Sequence, residues 1–338
     1  MWGFLMKWGL IGASNIAKQF MINAINSQQG SKVAAVLSGD ATRGRAFADD
    51  YGIEWATTDI DELLDDQTIE GVYISTTNEK HYPQAMKAIA AGKHVMCEKP
   101  LAMNIEHACQ MVSAAARANV VFATNHHLRN AGSHLKIKEL IDQGRVGDVQ
   151  AIRIGHAVYL PSNLHGWRIN NPQVGGGSIL DQVVHDADTI RFHLQEDPQE
   201  IVAIERSESL GKDVEDSVMS VWQMPSGILV HTHAGYTVKH AGTSYEVHGT
   251  EGSIFARGVM TQQPVGEIHL HRENQTEVQE FSNHDLYIRS MRLFMDAVNN
   301  GGSPAATGVD GIKSLAVALA VKEAATTGHR VKVNYGET

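Results

Sequence analysis

The sequence predicts an α/β domain with a doubly wound parallel sheet, followed by an α+β domain with a largely antiparallel open sheet flanked by helices. In the first 125 residues, short β-rich runs alternate with helical patterns, which is typical of parallel pairing. Beyond residue 151, strand-like runs follow one another with only turns between them, which favours antiparallel pairing. A chain of 338 residues suits two domains, and we place them at residues 1–125 and 126–338 with a cleft between them.

The predicted elements follow in chain order. Strands of the first domain are expected at residues 8–11, 33–37, 71–75, 94–97 and 120–124, with helices at 16–24, 43–51, 60–64, 83–91 and 105–118. The stretch 84–92, for example, carries apolar residues at helical spacing and ends on glycine. In the second domain we expect strands at 151–158, 200–207, 217–223, 228–233, 243–248 and 252–256, and helices at 131–143, 183–194, 286–299 and 311–326.

Composition excludes several classes of protein. A formal net charge of -10 argues against a nucleic-acid partner, because phosphate backbones require a basic field. Two cysteines, Cys97 and Cys109, are too few for a disulfide framework, so we expect a cytoplasmic setting. The apolar N-terminal stretch is too short for a signal peptide, and no run is long enough to cross a bilayer, so no membrane partner is expected.

The segment 9–17 follows the first predicted strand and opens a helix. Its pattern approximates the dinucleotide-binding fingerprint G-x-G-x-x-G/A of a Rossmann-type domain. Gly12 suits the tight turn, Ala17 suits close helix–strand packing, and Ser14 replaces the middle glycine. A serine there still lets the backbone pass near a pyrophosphate, and its hydroxyl can donate to a phosphate oxygen.

The end of the second strand favours NADP over NAD. Ser38 occupies the position where an acidic side chain would hold a ribose 2′-hydroxyl, and Arg43 can pair with a 2′-phosphate. Asp40 favours NAD instead, because its carboxylate lies only two residues beyond Ser38. NAD therefore stays open as an alternative.

Two segments carry candidate catalytic groups. Lys99 follows the fourth strand, at the sheet edge where open α/β sheets bind their ligands. Asp181 and His185 are four residues apart and would share one face of a helix, where the carboxylate can orient the imidazole. The imidazole can then protonate a carbonyl oxygen as hydride arrives at the carbon, with Lys99 as the alternative proton donor.

These motifs resemble those of the glucose–fructose oxidoreductase and inositol dehydrogenase family (Gfo/Idh/MocA). The resemblance rests on segment 12–17, on STTN at 75–78, on AGKHVMCEKP at 91–100 and on segment 181–185, so it spans both halves of the chain. It implies NADPH-dependent reduction of a sugar-derived ketone bound in the second domain, with Lys99, Asp181 and His185 catalytic. Beside Gly12 of the fingerprint, the implied cofactor contacts are Ala13, Ser14, Asn15, Ile16, Ser38, Gly39, Arg43, Ser75, Thr76, Thr77, Asn78, Glu79, Lys80, His81, Glu98, Lys99, Asn125, Trp167, Arg168 and Tyr287.

Three alternatives stay open. The chain could be another sugar or inositol dehydrogenase that uses NAD(H), or a regulator that senses a dinucleotide without catalysis. The eighteen histidines suggest a third alternative, a metal-dependent hydrolase or lyase. However, His231 and His233 alternate on a predicted strand without an adjacent acidic or cysteine ligand, so we expect no metal. An exposed face of the second domain's sheet could also pair subunits into a homo-oligomer.

Overall fold

The computed structural model describes residues 6–207 and 209–336. Two compact units are present. The first contains residues 6–126, Tyr287–Ile312 and Gly336, and the second contains His127–Leu286 and Lys313–Tyr335.

The sheet of the first unit has six parallel strands in the order β3-β2-β1-β4-β5-β6. They are β1 (Met6–Ile11), β2 (Ser31–Leu37), β3 (Trp55–Thr57), β4 (Ile69–Ile74), β5 (His94–Cys97) and β6 (Phe122–Thr124). From β1 the chain first adds β2 and β3 on one side, and it then returns to add β4, β5 and β6 on the other side. The strand order therefore reverses between β1 and β4. This confirms the doubly wound parallel sheet, to which the structure adds the short edge strand β3.

The sheet of the second unit has nine strands in the order β14-β13-β12-β11-β7-β10-β9-β8-β15. They are β7 (Val149–Ala157), β8 (Glu200–Arg206), β9 (Ser217–Gln223), β10 (Leu229–Gly235), β11 (Ser244–Gly249), β12 (Ser253–Arg257), β13 (Glu267–Arg272), β14 (Gln275–Val278) and β15 (Val331–Lys332). Every neighbouring pair is antiparallel except β7 and β10, which are parallel. The prediction of a largely antiparallel sheet is therefore confirmed.

The α-helices are α1 (Ile22–Asn26), α2 (Ala41–Tyr51), α3 (Ile60–Asp65), α4 (Asn78–Ala90), α5 (Ile105–Ala118), α6 (Gly132–Asp142), α7 (Trp167–Asn170), α8 (Val184–Leu194), α9 (Leu286–Asn300) and α10 (Gly308–Thr327). Asp40 accepts from the first turn of α2, Asp59 from that of α3, Asn104 from that of α5 and Thr307 from that of α10, so a side chain caps each of these helices. In the described part of the chain, no helix combines the length and hydropathy needed to span a bilayer.

Two helical turns differ from the α-helices that the sequence predicts. Ala17–Met21, after the glycine turn, and Ile179–Val183, before α8, are π-helical. A π-turn has i→i+5 hydrogen bonds and recurs at functional sites. Asp181 lies in this π-turn and His185 in α8, so the two residues that the sequence places on one helix lie in consecutive helical segments of different type.

Helix α9 belongs to the first unit by its packing, although the sequence-based division assigned residues 286–299 to the second domain. Phe294 of α9 packs against Trp8 of β1 with 5.3 Å between ring centroids, and both rings are fully buried. The carbonyl oxygen of Ile288 accepts a hydrogen bond from Gln28. Local periodicity predicts such a helix but does not reveal a partner more than 250 residues away.

Candidate active site

Most predicted cofactor contacts follow strands of the first sheet. Because parallel strands end at one edge of a sheet, the segments after β1, β2, β4, β5 and β6 share that edge. The residues concerned are Gly12 to Ile16, Ser38, Gly39, Arg43, Ser75 to His81, Glu98, Lys99 and Asn125.

The glycine turn after β1 can hold only glycine at its first position. Gly12 has a φ of +117°, and an added Cβ would lie 3.1 Å from the backbone carbonyl of Ser75. The Ser14 hydroxyl accepts from the backbone N–H of Ala17 at 3.1 Å and shares a hydrogen bond with the Ser75 hydroxyl at 2.7 Å. Ser14 thus ties the start of the first helix to the loop after β4, and the turn fits a pyrophosphate-binding role.

The segment after β2 gives Asp40 and Arg43 separate roles. The Asp40 carboxylate accepts from the backbone N–H of Arg43 at 2.7 Å and caps α2. The Arg43 Nε donates to the buried Ser38 hydroxyl at 3.2 Å. Gly39 lies between Ser38 and Asp40 and has open space beside it, since an added Cβ would meet no atom within 4 Å. The carboxylate therefore serves the helix terminus, while the guanidinium lies beside Ser38.

His81 of α4 joins the loop after β4 to the turn after β5. Its ring is 1% exposed, with Nδ1 at 2.8 Å from the carbonyl oxygen of Pro100 and Nε2 at 3.2 Å from that of Thr76. Burial lowers the pKa of His81, although both carbonyl oxygens oppose that shift. The imidazole thus packs against the backbone next to Lys99, whose peptide bond to Pro100 is cis.

Beside Lys99, two predicted cofactor contacts, Glu98 and Asn125, form a buried hydrogen-bond network with Tyr73, which the sequence analysis missed. The Glu98 carboxylate accepts from the Tyr73 hydroxyl at 2.5 Å and from the Asn125 amide at 2.6 Å, through the same oxygen. Burial, followed by the negative charge of Glu98, raises the pKa of Tyr73 well above its usual value. Tyr73 went unnoticed because a tyrosine within an apolar strand has the pattern of a core residue.

In the second unit, Asp181 lies between a tyrosine and an arginine. The Tyr236 hydroxyl is 2.9 Å from Asp181 Oδ2, and Arg168 Nε lies 3.7 Å from the same oxygen. The Arg168 guanidinium also lies over the Trp167 ring, 4.6 Å from its centroid. Arg168, predicted as a cofactor contact, and Asp181, predicted as catalytic, are therefore an ion pair within this unit.

His185 of α8 lies among other histidines. Its buried ring contacts His127 edge-on, with 4.8 Å between centroids, and the ring of His156 is 6.1 Å away. The His156 Nδ1 lies 2.8 Å from the buried Asp186 carboxylate. Burial raises the pKa of Asp186, while His156 acts in the opposite direction.

Two further predictions concern Tyr287 and metal binding. Tyr287 is fully buried in the first unit, where its ring stacks on Phe20 at 4.6 Å. Among residues 6–207 and 209–336, no three or more histidine, cysteine or acidic side chains form a group that could hold a metal ion.

Comparison with known proteins gives matches over both halves of the chain. Residues 6–126 match the family model described as "Oxidoreductase family, NAD-binding Rossmann fold", and residues 134–255 match the GFO/IDH/MocA C-terminal domain. The chain is 48% identical to 1,5-anhydro-D-fructose reductase of Ensifer adhaerens, over 98% of this chain and 99% of the relative. It is 28% identical to myo-inositol 2-dehydrogenase of Thermotoga maritima, over 97% and 98%. The crystal structure of aldose-aldose oxidoreductase from Caulobacter crescentus superposes with a TM-score of 0.89 at 23% identity, over 97% and 99% of the two chains.

Proposed function

This chain belongs to the GFO/IDH/MocA oxidoreductase family, and we propose that it reduces 1,5-anhydro-D-fructose to 1,5-anhydro-D-mannitol with NADPH. The observation that carries the proposal is the 48% identity to a 1,5-anhydro-D-fructose reductase over nearly the full length of both chains. In this proposal, the first unit binds the dinucleotide and the second unit binds the sugar.

The side chains at the carboxyl edge of the first sheet suit a dinucleotide with a 2′-phosphate. Gly12 allows close approach of the pyrophosphate, while Ser38 and Arg43 would bind the 2′-phosphate by charge-assisted hydrogen bonds. The Asp40 carboxylate caps the first turn of α2, which gives it a role other than ribose binding in this proposal. When bound, the cofactor supplies the hydride.

Lys99, Asp181 and His185 supply the acid–base chemistry in this proposal. Lys99 donates to the substrate carbonyl oxygen and to the nicotinamide ribose. His185 gives the proton to that oxygen, and Asp181 orients the imidazole and stabilises its protonated form. Lys99 is the second candidate for the proton donor, because a lysine ammonium can donate to the same carbonyl oxygen.

The substrate is tested by an NADPH-oxidation screen across 1,5-anhydrofructose, an inosose, glucosone and simple aldoses, repeated with NADH. We expect 1,5-anhydrofructose with NADPH to give the highest kcat/KM. Turnover of an inosose or another sugar alone would leave the family in place and reject the substrate. Turnover of no sugar, together with tight NADPH binding, would favour a dinucleotide-sensing regulator.

The proton donor is tested with His185→Ala and Lys99→Ala. Loss of a general acid lowers kcat by about a hundred- to ten-thousand-fold. We expect that loss in His185→Ala with an unchanged NADPH dissociation constant, measured by fluorescence titration, since His185 lies in the second unit. Lys99→Ala should weaken both turnover and NADPH binding. Near-normal turnover of His185→Ala would reject His185 as the donor.

A further inference from the structure

The Asp181 carboxylate is held by a residue from a distant part of the chain. Tyr236 directly follows β10, and its side chain is 1% exposed. Its hydroxyl lies 2.9 Å from Asp181 Oδ2 and 3.0 Å from the carbonyl oxygen of Gly177, at the start of the segment that carries Asp181. One phenolic hydrogen therefore faces two acceptors on the same segment.

The backbone of Tyr236 is fixed on both sides. Its N–H donates to the carbonyl oxygen of Asp216 at 2.8 Å, and its own carbonyl oxygen accepts from the N–H of Leu160 at 3.0 Å. With the ring buried and the backbone bonded, the sheet of the second unit determines where the hydroxyl lies.

Glu215 holds the middle of the Gly177–Asp181 segment. Its carboxylate accepts from the N–H of Ile179 at 2.9 Å, and its backbone carbonyl accepts from the N–H of Ser178 at 3.1 Å. An added Cβ at Gly177 would lie 2.1 Å from the Glu215 carboxylate, and Gly177 has a φ of +109°. Gly177 is thus required both by its conformation and by the proximity of Glu215.

The charges around Asp181 favour its ionised form. A hydrogen bond to a carboxylate is stronger than one to a neutral carbonyl, so the Tyr236 hydroxyl donates preferentially to Asp181 rather than to Gly177. Arg168 of α7 adds a positive charge 3.7 Å from the same oxygen. Two further titratable groups are Glu215, whose carboxylate accepts from the N–H of Ile179, and His185, which follows four residues after Asp181 in α8.

We propose that Tyr236 is a positioning residue of the active site, whose hydroxyl holds the Asp181 carboxylate ionised and in a fixed orientation. This inference rests on the proposed function only in assigning Asp181 to the reaction. Burial, followed by the charge of Asp181, raises the pKa of Tyr236 well above its usual value, so the phenol keeps its hydrogen throughout an assay near neutral pH.

Tyr236→Phe removes this hydroxyl, and Tyr245→Phe is the matched control. Tyr245 is also fully buried in the second unit, but its hydroxyl bonds to His193 Nδ1 at 2.7 Å. We expect Tyr236→Phe to lower kcat by about 10- to 100-fold, the range for a hydrogen bond to a charged group. The acidic limb of its kcat profile should move to higher pH, because the lost donor favoured the carboxylate. Tyr245→Phe should lower the melting temperature but keep kcat and the pH profile.

A double-mutant cycle with Asp181→Asn tests whether Tyr236 acts through Asp181. The kcat cost of Tyr236→Phe should nearly vanish in the Asp181→Asn background, because residues that share one interaction are not additive. An equal cost in both backgrounds, or a wild-type kcat and pH profile in Tyr236→Phe, would overturn the proposal. The NADPH dissociation constant should be unchanged in both variants.

A readout without turnover separates this inference from the substrate assignment. In protein labelled with ¹³C at aspartate carboxyl groups, the Asp181 signal, assigned from its loss in Asp181→Asn, should titrate at higher pH in Tyr236→Phe than in wild type. An unchanged titration would reject the role of Tyr236 even if the wild type reduced no sugar. A shifted titration with no turnover would instead reject the proposed function alone.

Discussion

The proposed NADPH preference predicts that cofactor choice depends on the side chain at position 43. Arg43→Ala removes the guanidinium that lies beside Ser38. NADPH binding should weaken by about 1.5–3 kcal/mol, the usual contribution of a charged hydrogen bond, while NADH binding stays nearly unchanged. Arg45→Ala, which removes an exposed arginine from the same helix, is the matched control and should affect neither cofactor. Fluorescence titration measures both dissociation constants, and equal losses for NADPH and NADH in Arg43→Ala would contradict the 2′-phosphate role.

Asp40 provides a separate test at the same site. As the N-cap of α2, it should contribute about 1 kcal/mol to the free energy of unfolding, and Asp40→Ala should lose that amount. NADH binding by the variant should be unaltered if, as we propose, the carboxylate caps the helix and does not bind a ribose. A large loss of NADH affinity without a loss of stability would show that Asp40 is a ribose ligand.

At the scale of elements, buried histidines join α6 to α8. The rings of His134 and His193 stack at 5.3 Å, and His193 Nε2 lies 3.1 Å from the carbonyl oxygen of His134. Burial lowers the pKa of His134 to about 4 and the pKa of His193 well below its usual value. Both rings are therefore neutral in the folded protein near neutral pH, and protonating either opposes folding.

This packing predicts acid sensitivity. Between pH 6.5 and 4 the unfolded chain binds a proton at position 134 that the folded chain does not, so the free energy of unfolding falls as the pH falls. His134 alone should account for a loss of about 3 kcal/mol across that window. Urea unfolding at pH 7.5 and pH 5 should show a smaller pH-dependent loss in His134→Gln than in wild type. His240→Gln, which replaces an exposed histidine, should keep the wild-type pH dependence; an unaltered dependence in His134→Gln would contradict this assignment.

At the scale of the whole molecule, one face of the second sheet presents apolar side chains to solvent. Ile204 of β8 is 79% exposed and lies directly opposite Met219 of β9, which is 51% exposed, while Val202 lies opposite Val221. Contiguous apolar surface of this kind often marks an interface. We therefore expect the chain to form a homodimer through this face, and Ile204→Lys should convert it to a monomer in sedimentation velocity. Val309→Lys, at an exposed apolar position in α10, should leave the dimer intact; a monomeric wild type would reject the interface.

The sequence alone determined the two-domain architecture and the edge of the first sheet that carries the predicted site. Strand and helix periodicity are local properties, so the alternation of elements predicts parallel pairing and the succession of strands predicts antiparallel pairing. The glycine turn at Gly12 and the block ending in Lys99-Pro100 are likewise read from adjacent residues. The strands β3, β13, β14 and β15 were missed. Three of them have only two to four residues, which gives too little periodicity, whereas the alternating Ile268 and Leu270 of β13 were overlooked.

Only the tertiary structure decided how the individual side chains are used. Asp40 has the same spacing whether or not it caps a helix, and only the structure shows that its carboxylate accepts from the N–H of Arg43. Tyr236 is 55 residues from Asp181 along the chain, and helix α9 packs against β1 although the two elements lie far apart in the sequence. Such partners are selected by burial and by the pairing of polar groups in three dimensions, which no local pattern of residues encodes.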